Sequence, residues 1–210
     1  MAGKASREGQ SLDRPHLCLS WFDSPLPDTW KAEQIERLAP TERVRLARIE
    51  RLLRREQFVV GHWMLRRVLA DAGYQNAAIE VDADGSVLLN ASVPLYVSLS
   101  HSANVVAVVI AGDRVGVDIE SLKPVRDLRG AAAMLGLPAA GSEDAASILR
   151  AWVAAEARQK AGPDAREQVW QSTWDRYQLA VAGAANSPLT GGFDGITGNY
   201  NGIELQWEAV

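Results

Sequence analysis

The sequence predicts an α+β fold of two halves that meet near Gly112-Asp113. Three observations predict it: helical patterns within residues 40–72 and 147–161, short β-branched or apolar runs after the first helical segment, and Gly or Asp turn signals between those runs. A chain of 210 residues is long enough for one large domain or two small ones. We therefore expect an N-terminal half of residues 1–112 and a C-terminal half of residues 113–210.

Composition places the chain among ordinary globular proteins, with 47% apolar and 23% charged residues. The longest apolar run, Val105–Ala111, is too short to cross a bilayer, and the polar first ten residues predict no secretory signal. The single cysteine, Cys18, cannot form an internal disulfide, and three histidines are too few for a Cys/His zinc cluster. We expect a cytoplasmic protein without membrane contact, in which any metal is a hard cation bound by carboxylates.

The charge distribution is uneven. Residues 31–67 carry ten Lys/Arg against five Glu, a net charge of +5, although the whole chain has a net charge of −4. One basic segment on an acidic protein favours an anionic ligand bound at a defined place. A nucleic-acid partner is not expected, because four glutamates interleaved with the arginines would repel a phosphate backbone. These are Glu36, Glu42, Glu50 and Glu56.

The elements of the first half follow in order. Pro40-Thr41-Glu42 starts a long helical pattern of apolar residues between arginines, and a second helical stretch over 58–72 ends at Gly73. Short strands are expected next. They cover residues 78–81, 86–89, 95–99 and 105–111. The run 114–120 is predicted to pair with 105–111 as an antiparallel hairpin.

The second half continues with a loop and one short helix over the Ala/Gly/Pro-rich residues 121–146. A helix over 147–161 follows and is stopped by Gly162-Pro163. Strands are expected at 177–184 and 202–208. Between them, the Gly-, Asn- and Ser-rich run 186–201 predicts a long mobile loop.

Two carboxylates lie in the run Val115–Glu120. In a strand, Asp118 and Glu120 share one face about 7 Å apart, while Val117 and Ile119 face the core. Two acids on one face can hold a divalent cation that carries a phosphate-bearing substrate. A solvated strand face is the alternative interpretation.

The predicted helix 147–161 carries a second pair of charges. Steps of four place Ile148, Trp152, Glu156 and Lys160 on one stripe, whose first two members indicate that it faces the core. A charge that continues an apolar stripe is costly unless it is compensated. An exposed Glu-to-Lys pair is the alternative.

A polar cluster surrounds His101, in the sequence Ser98-Leu99-Ser100-His101-Ser102 at the end of a predicted strand. The histidine is either functional or a structural residue. The nucleophile elbow G-x-S-x-G, the P-loop and G-x-G-x-x-G do not occur in the sequence, which argues against a serine hydrolase and the usual nucleotide-binding motifs.

Together, these segments resemble the 4′-phosphopantetheinyl transferase superfamily, and within it the surfactin-type (Sfp-like) branch. Its signatures are an S-H-S strand end, G-[IV]-D-[IV]-E and W-x-x-K-E-[AS]-x-x-K, to which residues 98–102, 116–120 and 152–160 are similar. The family's arginine-rich helix pair is matched upstream, at Glu42-Arg43, Arg45, Arg48, Phe58, Gly61 and Leu65-Arg66. The resemblance implies a monomer of two similar α/β halves (a pseudo-dimer), each a small, mainly antiparallel sheet packed on a long helix.

The resemblance also implies an activity. The family transfers the 4′-phosphopantetheine arm of coenzyme A (CoA) to a serine of an acyl or peptidyl carrier protein and releases adenosine 3′,5′-bisphosphate. By this likeness Asp118, Glu120 and Glu156 would bind Mg²⁺, and Glu156 would help deprotonate the carrier serine. Lys160 would neutralise the pyrophosphate, and His101 with Arg45 would hold the 3′-phosphate.

Several positions depart from the family pattern. Ala155 stands where Lys is usual, Gln57 and His62 occupy positions that are commonly Arg, and Ser86 replaces the basic residue of a G-[KR]-P segment. The segment 126–147 lacks the Phe-Phe and Glu pattern associated with carrier docking. A degenerate relative that binds CoA or a carrier protein without catalysis therefore remains the alternative to an active, Mg²⁺-dependent enzyme.

Overall fold

The computed structural model describes residues 12–122, 128–136, 145–184, 186, 188–192, 205 and 208–209. It is an α+β structure of small sheets and a few helices. The elements, in chain order, are β1 (His16–Trp21), α1 (Asp28–Glu36), α2 (Pro40–Ala47), α3 (Leu52–Ala72), β2 (Ala78–Val81), β3 (Val87–Asn90), β4 (Tyr96–Ser102), β5 (Val105–Ala111), β6 (Gly116–Ser121), α4 (Leu128–Met134), α5 (Ala145–Ala161), β7 (Arg166–Trp174), β8 (Tyr177–Gly183), β9 (Leu189–Gly192) and β10 (Glu208–Ala209).

The described strands form two four-stranded sheets and one two-stranded ribbon. The first sheet has the strand order β4-β5-β1-β9 and the second β10-β7-β8-β6, while β2 and β3 form the ribbon. All pairings are antiparallel except the parallel pair β1–β9. Because β9 belongs to the predicted C-terminal half, the first sheet draws strands from both sides of the predicted boundary.

The two sheets pack face to face between two helices. Alternate residues of β5 point to opposite faces: Val106 and Val108 pack with α3, whereas Ala107 and Val109 pack against the second sheet. The far face of the second sheet packs on α5 through small residues of both elements. These residues are Val153, Ala154, Ala157, Ala161, Ala180 and Ala182.

Serine hydroxyls close the seam where β4 meets the free edge of β6. No backbone ladder joins these two strands within the described residues. Instead, three β4 serines on one face accept the outward N–H groups of β6, which satisfies donors that a buried edge would leave unpaired. The contacts are Val117 N to Ser98 Oγ (3.0 Å), Ile119 N to Ser100 Oγ (3.3 Å) and Ser121 N to Ser102 Oγ (3.0 Å).

Several elements confirm the predictions from the sequence. Strands occupy Ala78–Val81 and Val105–Ala111, and the helix that carries Glu156 ends at Ala161. Gly73 ends α3 with a φ of 91°, a left-handed conformation that favours glycine. The one short helix expected within 121–146 is α4. None of the described helices is long and apolar enough to cross a membrane.

Three predictions about elements are wrong. β5 and β6 do not form a hairpin, because Gly112–Arg114 leads the chain from one sheet into the other and β6 pairs with β8. The long helix starting at Pro40 is two helices, since α2 ends at Ala47 and Arg55 Nη1 binds the carbonyls of Leu46 and Ile49 at the bend. β9 lies inside the run predicted to be a loop.

Some elements were missed, and others lie outside the described residues. Sequence patterns did not predict β1, α1 or β7. The predicted strand 202–208 falls almost entirely outside the described residues, as does 193–201 of the predicted loop. The boundary at residues 112 and 113, and the similarity of the two halves, remain predictions.

Candidate functional site

A cavity of about 350 Å³ opens between α2, α3, the β2–β3 ribbon and β4, and the end of α5 reaches it. Five side chains that can carry positive charge line it: Arg45, Arg54, His62, His101 and Lys160. Three of these, Arg45, His101 and Lys160, are ligand-binding predictions from the sequence that come from distant parts of the chain. Positively charged side chains that point into one cavity stabilise an anion bound there.

Arg45 reaches the cavity because the turn between β2 and β3 gives it room. Gly85 in this turn has a φ of 91°, and a Cβ atom there would lie 2.9 Å from the guanidinium of Arg45. The glycine thus permits both the turn and the close approach of the arginine to the backbone. Ser86, which stands where the family resemblance has a basic residue, lies beside it in the cavity wall.

His101 is held by a neighbouring arginine that the sequence analysis did not assign to a site. Arg54 Nη1 lies 2.7 Å from His101 Nδ1 and also contacts Nε2. The same Nη1 donates to Gln57 Oε1 at 3.2 Å, and Gln57 Nε2 donates to the Ala103 carbonyl at 2.7 Å. Gln57 therefore fastens the β4–β5 turn to α3, while Arg54 supplies the positive charge on this wall of the cavity.

Lys160 connects the cavity to the acidic strand. Its Nζ donates to Asp118 Oδ1 (2.7 Å), the Val117 carbonyl (3.1 Å) and Ser100 Oγ (3.2 Å). An ammonium group has three donors, so all of them have partners. The exposed Glu156–Lys160 pair considered from the sequence is therefore wrong, because the ion pair of Lys160 is with Asp118.

Asp118 faces α5 from the middle of β6. Its side chain is only 5% exposed, which contradicts the alternative of a solvated strand face. Oδ1 accepts hydrogen bonds from Lys160 and from Ser100 Oγ at 2.8 Å. Oδ2 is buried and has no hydrogen-bond partner in the described structure. A buried carboxylate oxygen without a partner is costly, and this one is placed to accept a cation or a donor.

The other two carboxylates predicted to bind metal are half-buried nearby in the fold. Glu120 lies two residues along the same strand face and accepts a hydrogen bond from Ser102 Oγ at 2.9 Å. Glu156 is carried by α5, the helix that covers this face. Within the described residues, no three His, Cys, Asp or Glu side chains are grouped so that they could hold a metal ion. The three-carboxylate ligand set remains a prediction.

A buried network that includes His62 of the cavity wall was missed by sequence reasoning. Glu42 is fully buried and binds His62 Nδ1 at 2.5 Å, Arg66 and the Ala39 N–H. Burial raises the pKa of Glu42, but hydrogen bonds from His62 and Arg66 outweigh it and hold the pKa at about 2. Glu42 and Arg66, which match the family's helix pair, therefore serve here to fix α2 on α3. His62 and Arg66 are four residues apart on one helix and therefore share a face, a spacing from which a common acidic partner such as Glu42 could have been predicted.

Burial also weakens one argument made from the charge pattern. Glu56 accepts hydrogen bonds from the Leu26 N–H at 2.8 Å and from Ser24 Oγ, and like Glu42 it is buried. Only Glu36 and Glu50 of the four interleaved glutamates are exposed. The two buried carboxylates pair with basic residues of the same segment, Glu42 with Arg66 and Glu56 with Lys31, so only the two exposed glutamates remain to repel a phosphate backbone.

Comparison with known proteins assigns this chain to no family. No family model matches the chain, and no curated protein matches it. The resemblance stated above therefore depends on the sequence patterns alone: the three motifs and the arginine-rich helix pair upstream of them. In the structure, residues of the three motifs meet at one place, because Ser100 and Lys160 both contact Asp118.

Proposed function

We propose that this protein transfers the 4′-phosphopantetheine arm of CoA to a serine of an acyl or peptidyl carrier protein. One observation carries the proposal: a cavity lined by Arg45, Arg54, His101 and Lys160 adjoins a buried carboxylate, Asp118, that has an unpaired oxygen. CoA carries a pyrophosphate and a separate 3′-phosphate, so its recognition requires several cations. Cleaving its pyrophosphate also requires stabilisation of the charge that develops on the leaving phosphate.

The residues present fit a hard divalent cation. Asp118 Oδ2 lacks a partner, and the carboxylates of Glu120 and Glu156 belong to the strand and helix that face each other here. Carboxylate oxygens are the ligands that Mg²⁺ prefers. We assign these three residues as its ligands. Within the described residues they do not form one group, so binding requires their carboxylates to move closer together. When bound, Mg²⁺ supplies charge neutralisation at the pyrophosphate.

Each of the site residues then has its own role in the proposed reaction. Glu156 accepts the proton of the carrier serine as its oxygen attacks the phosphorus that bears the pantetheine arm. The bond from that phosphorus to the bridging oxygen breaks, and its electron pair leaves with adenosine 3′,5′-bisphosphate. Lys160 stabilises the negative charge of the leaving phosphate, while Arg45 and His101 hold the 3′-phosphate. We place this reaction in the cytoplasm, in a monomer whose two similar halves form the site between them.

The alternative is a protein that binds CoA or a carrier protein without transfer. Two observations favour it: all three donors of Lys160 are used by the protein, and the three carboxylates are not grouped. A catalytic site must release at least Lys160 from Asp118 when the substrate binds. The two functions therefore differ in product formation, whereas binding of CoA is compatible with both.

Mass spectrometry of apo carrier proteins incubated with CoA, Mg²⁺ and the protein tests the proposal. We expect one carrier of an acyl and peptidyl panel to gain the mass of one phosphopantetheine arm. Calorimetry of CoA binding is measured alongside. CoA binding with no carrier modified would support the alternative. The absence of CoA binding would contradict the transferase and would leave, of the alternative, only a protein that binds a carrier.

Asp118→Asn identifies the site within the same assay. We expect transfer to fall at least a hundredfold, because the amide keeps the shape of the side chain but loses the charge that binds Mg²⁺. The matched control is Asp164→Asn, which removes an acid whose side chain is 75% exposed and lies outside the cavity. Equal activity of the two variants would contradict the assignment of Asp118.

A further inference from the structure

The β4 serines make a regular pattern of contacts with β6. Each hydroxyl accepts an N–H from one β6 residue, and the hydroxyls of Ser100 and Ser102 also bind the side chain of the residue before it. For Ser100 that side chain is Asp118, whose Oδ1 receives the hydroxyl proton at 2.8 Å. For Ser102 it is Glu120, whose Oε2 receives the proton at 2.9 Å.

The direction of these hydrogen bonds is determined by chemistry. A backbone N–H can only donate, so each serine oxygen must be the acceptor of that bond. The hydroxyl has a single proton, and an ionised carboxylate can only accept. The proton of Ser102 is therefore directed at Glu120, and the carboxylate is held from the opposite sheet in one orientation.

Ser98 is a natural control in the same strand. It accepts the Val117 N–H at 3.0 Å, as the other two serines accept theirs. The preceding residue on β6 is Gly116, which has no side chain to receive its proton. Ser98 thus shares the contact that joins the sheets but lacks the contact with an acid.

We propose that Ser100 and Ser102 are positioning residues that orient Asp118 and Glu120 for cation binding across the seam. This inference rests on the proposed function, since it assigns the supports of the same metal site. Each of these hydroxyls makes two hydrogen bonds. The bond accepted from the backbone N–H holds β4 against β6, and the bond donated to the carboxylate orients that carboxylate. Hydrogen-bonding partners of metal ligands commonly change metal affinity by about 10- to 100-fold when removed.

Mn²⁺ binding, followed by electron paramagnetic resonance in the presence of CoA, tests the proposal without depending on transfer. We expect Ser102→Ala to weaken Mn²⁺ binding about tenfold, and Ser102→Thr, which keeps a hydroxyl, to restore most of it. Ser98→Ala loses the same kind of backbone contact, so it should lower the urea midpoint at least as much while leaving Mn²⁺ affinity unchanged.

The possible failures can be told apart. If the wild type binds Mn²⁺ and modifies a carrier, but Ser102→Ala and Ser98→Ala have equal Mn²⁺ affinity, the positioning role is wrong and the proposed function stands. If the wild type binds no Mn²⁺ with CoA present, the metal part of the proposed function and this proposal are both overturned. Weaker binding in Ser102→Thr than in Ser102→Ala would also contradict the role of the hydroxyl.

Discussion

The ionisation of Glu42 contributes to the stability of the fold. Its pKa is about 2 in the folded protein against an ordinary value of 4.5, so the folded state binds its proton more weakly than the unfolded state. The stabilisation is therefore fully present above pH 4.5 and is lost as the pH falls from 4.5 towards 2. The shift corresponds to about 3 kcal/mol, taking about 1.4 kcal/mol per pKa unit.

Glu42→Gln should remove this dependence. We expect the variant to be less stable than the wild type at pH 7, because Arg66 and His62 lose their charged partner, and the difference between the two proteins should shrink towards pH 3. Urea unfolding across pH 3–7 measures it. The matched control is Glu36→Gln, an exposed acid, for which the difference should stay near zero. A difference between Glu42→Gln and the wild type that is constant with pH would show that Glu42 is not held ionised.

Ser86 is the position at which an added charge should act on the ligand. It is exposed in the cavity wall beside Gly85 and Arg45. Ser86→Lys should tighten CoA binding tenfold or less, since a cation near a partly screened phosphate contributes on the order of 1 kcal/mol. The gain should shrink as salt is raised. The matched control is Ala83→Lys, which adds the same charge to the same turn but outside the cavity, and for which calorimetry should detect no such gain. If Ser86→Lys and Ala83→Lys bind CoA with equal affinity, CoA does not bind in this cavity.

At the scale of elements, the contact between β6 and α5 positions the acids. Gly116 lies on the same face of β6 as Asp118 and Glu120. A Cβ atom at Gly116 would overlap the Ala157 carbonyl oxygen and lie 2.5 Å from the Ala161 nitrogen. The helix can therefore approach the strand closely only because residue 116 is glycine. This approach is what brings Lys160 within reach of Asp118.

Gly116→Ala should separate the helix from the strand. We expect a loss of more than about 2 kcal/mol, because backbone atoms of α5 must move to make room. Gly61→Ala is the matched control: its Cβ would meet only side-chain ends, Leu99 Cδ2 at 3.1 Å and Val106 Cγ1 at 3.5 Å, and alanine favours the α3 helix by about 1 kcal/mol. Urea unfolding of both variants measures the difference. Equal stabilities would contradict the close packing of α5 on β6.

At the scale of the whole molecule, Cys18 reports unfolding. It lies in the middle of β1, in the layer between the first sheet and α3, and burial raises the pKa of its thiol to about 12. Thiolates are the reactive form, so the folded protein should react slowly with iodoacetamide. Alkylation in mild urea therefore measures how often the central layers open.

Ligand binding should slow this alkylation. The cavity includes residues of α2, α3, β4 and α5, so an occupied cavity stabilises both sheets together by mass action. Acetyl-CoA with Mg²⁺ is the probe, because it has no free thiol to consume the reagent, and adenosine is the control without phosphates. We expect acetyl-CoA with Mg²⁺ to slow the alkylation of Cys18 and adenosine to leave its rate unchanged. Rapid alkylation of Cys18 in native buffer would contradict its buried position.

Much of the local structure was determined by the sequence itself. Periodicity and turn residues predicted the strands at residues 78–81 and 105–111 and the end of the helix at Ala161, because hydrophobic period and helix stop signals act over a few residues. The same local rules placed Asp118 and Glu120 on one strand face. They could not decide whether that face was solvated, since burial depends on what packs against it.

Only the tertiary structure decided how the pieces combine. Sequence rules favoured a hairpin between β5 and β6, but the chain leaves one sheet for the other, and the unpaired edge of β6 is satisfied by serines that no pairing rule anticipates. The partners of Lys160 and Glu42 were likewise invisible, because they lie 42 and 20 residues away in the chain. Side-chain chemistry is local in sequence, whereas burial and the choice of partner are properties of the packed molecule.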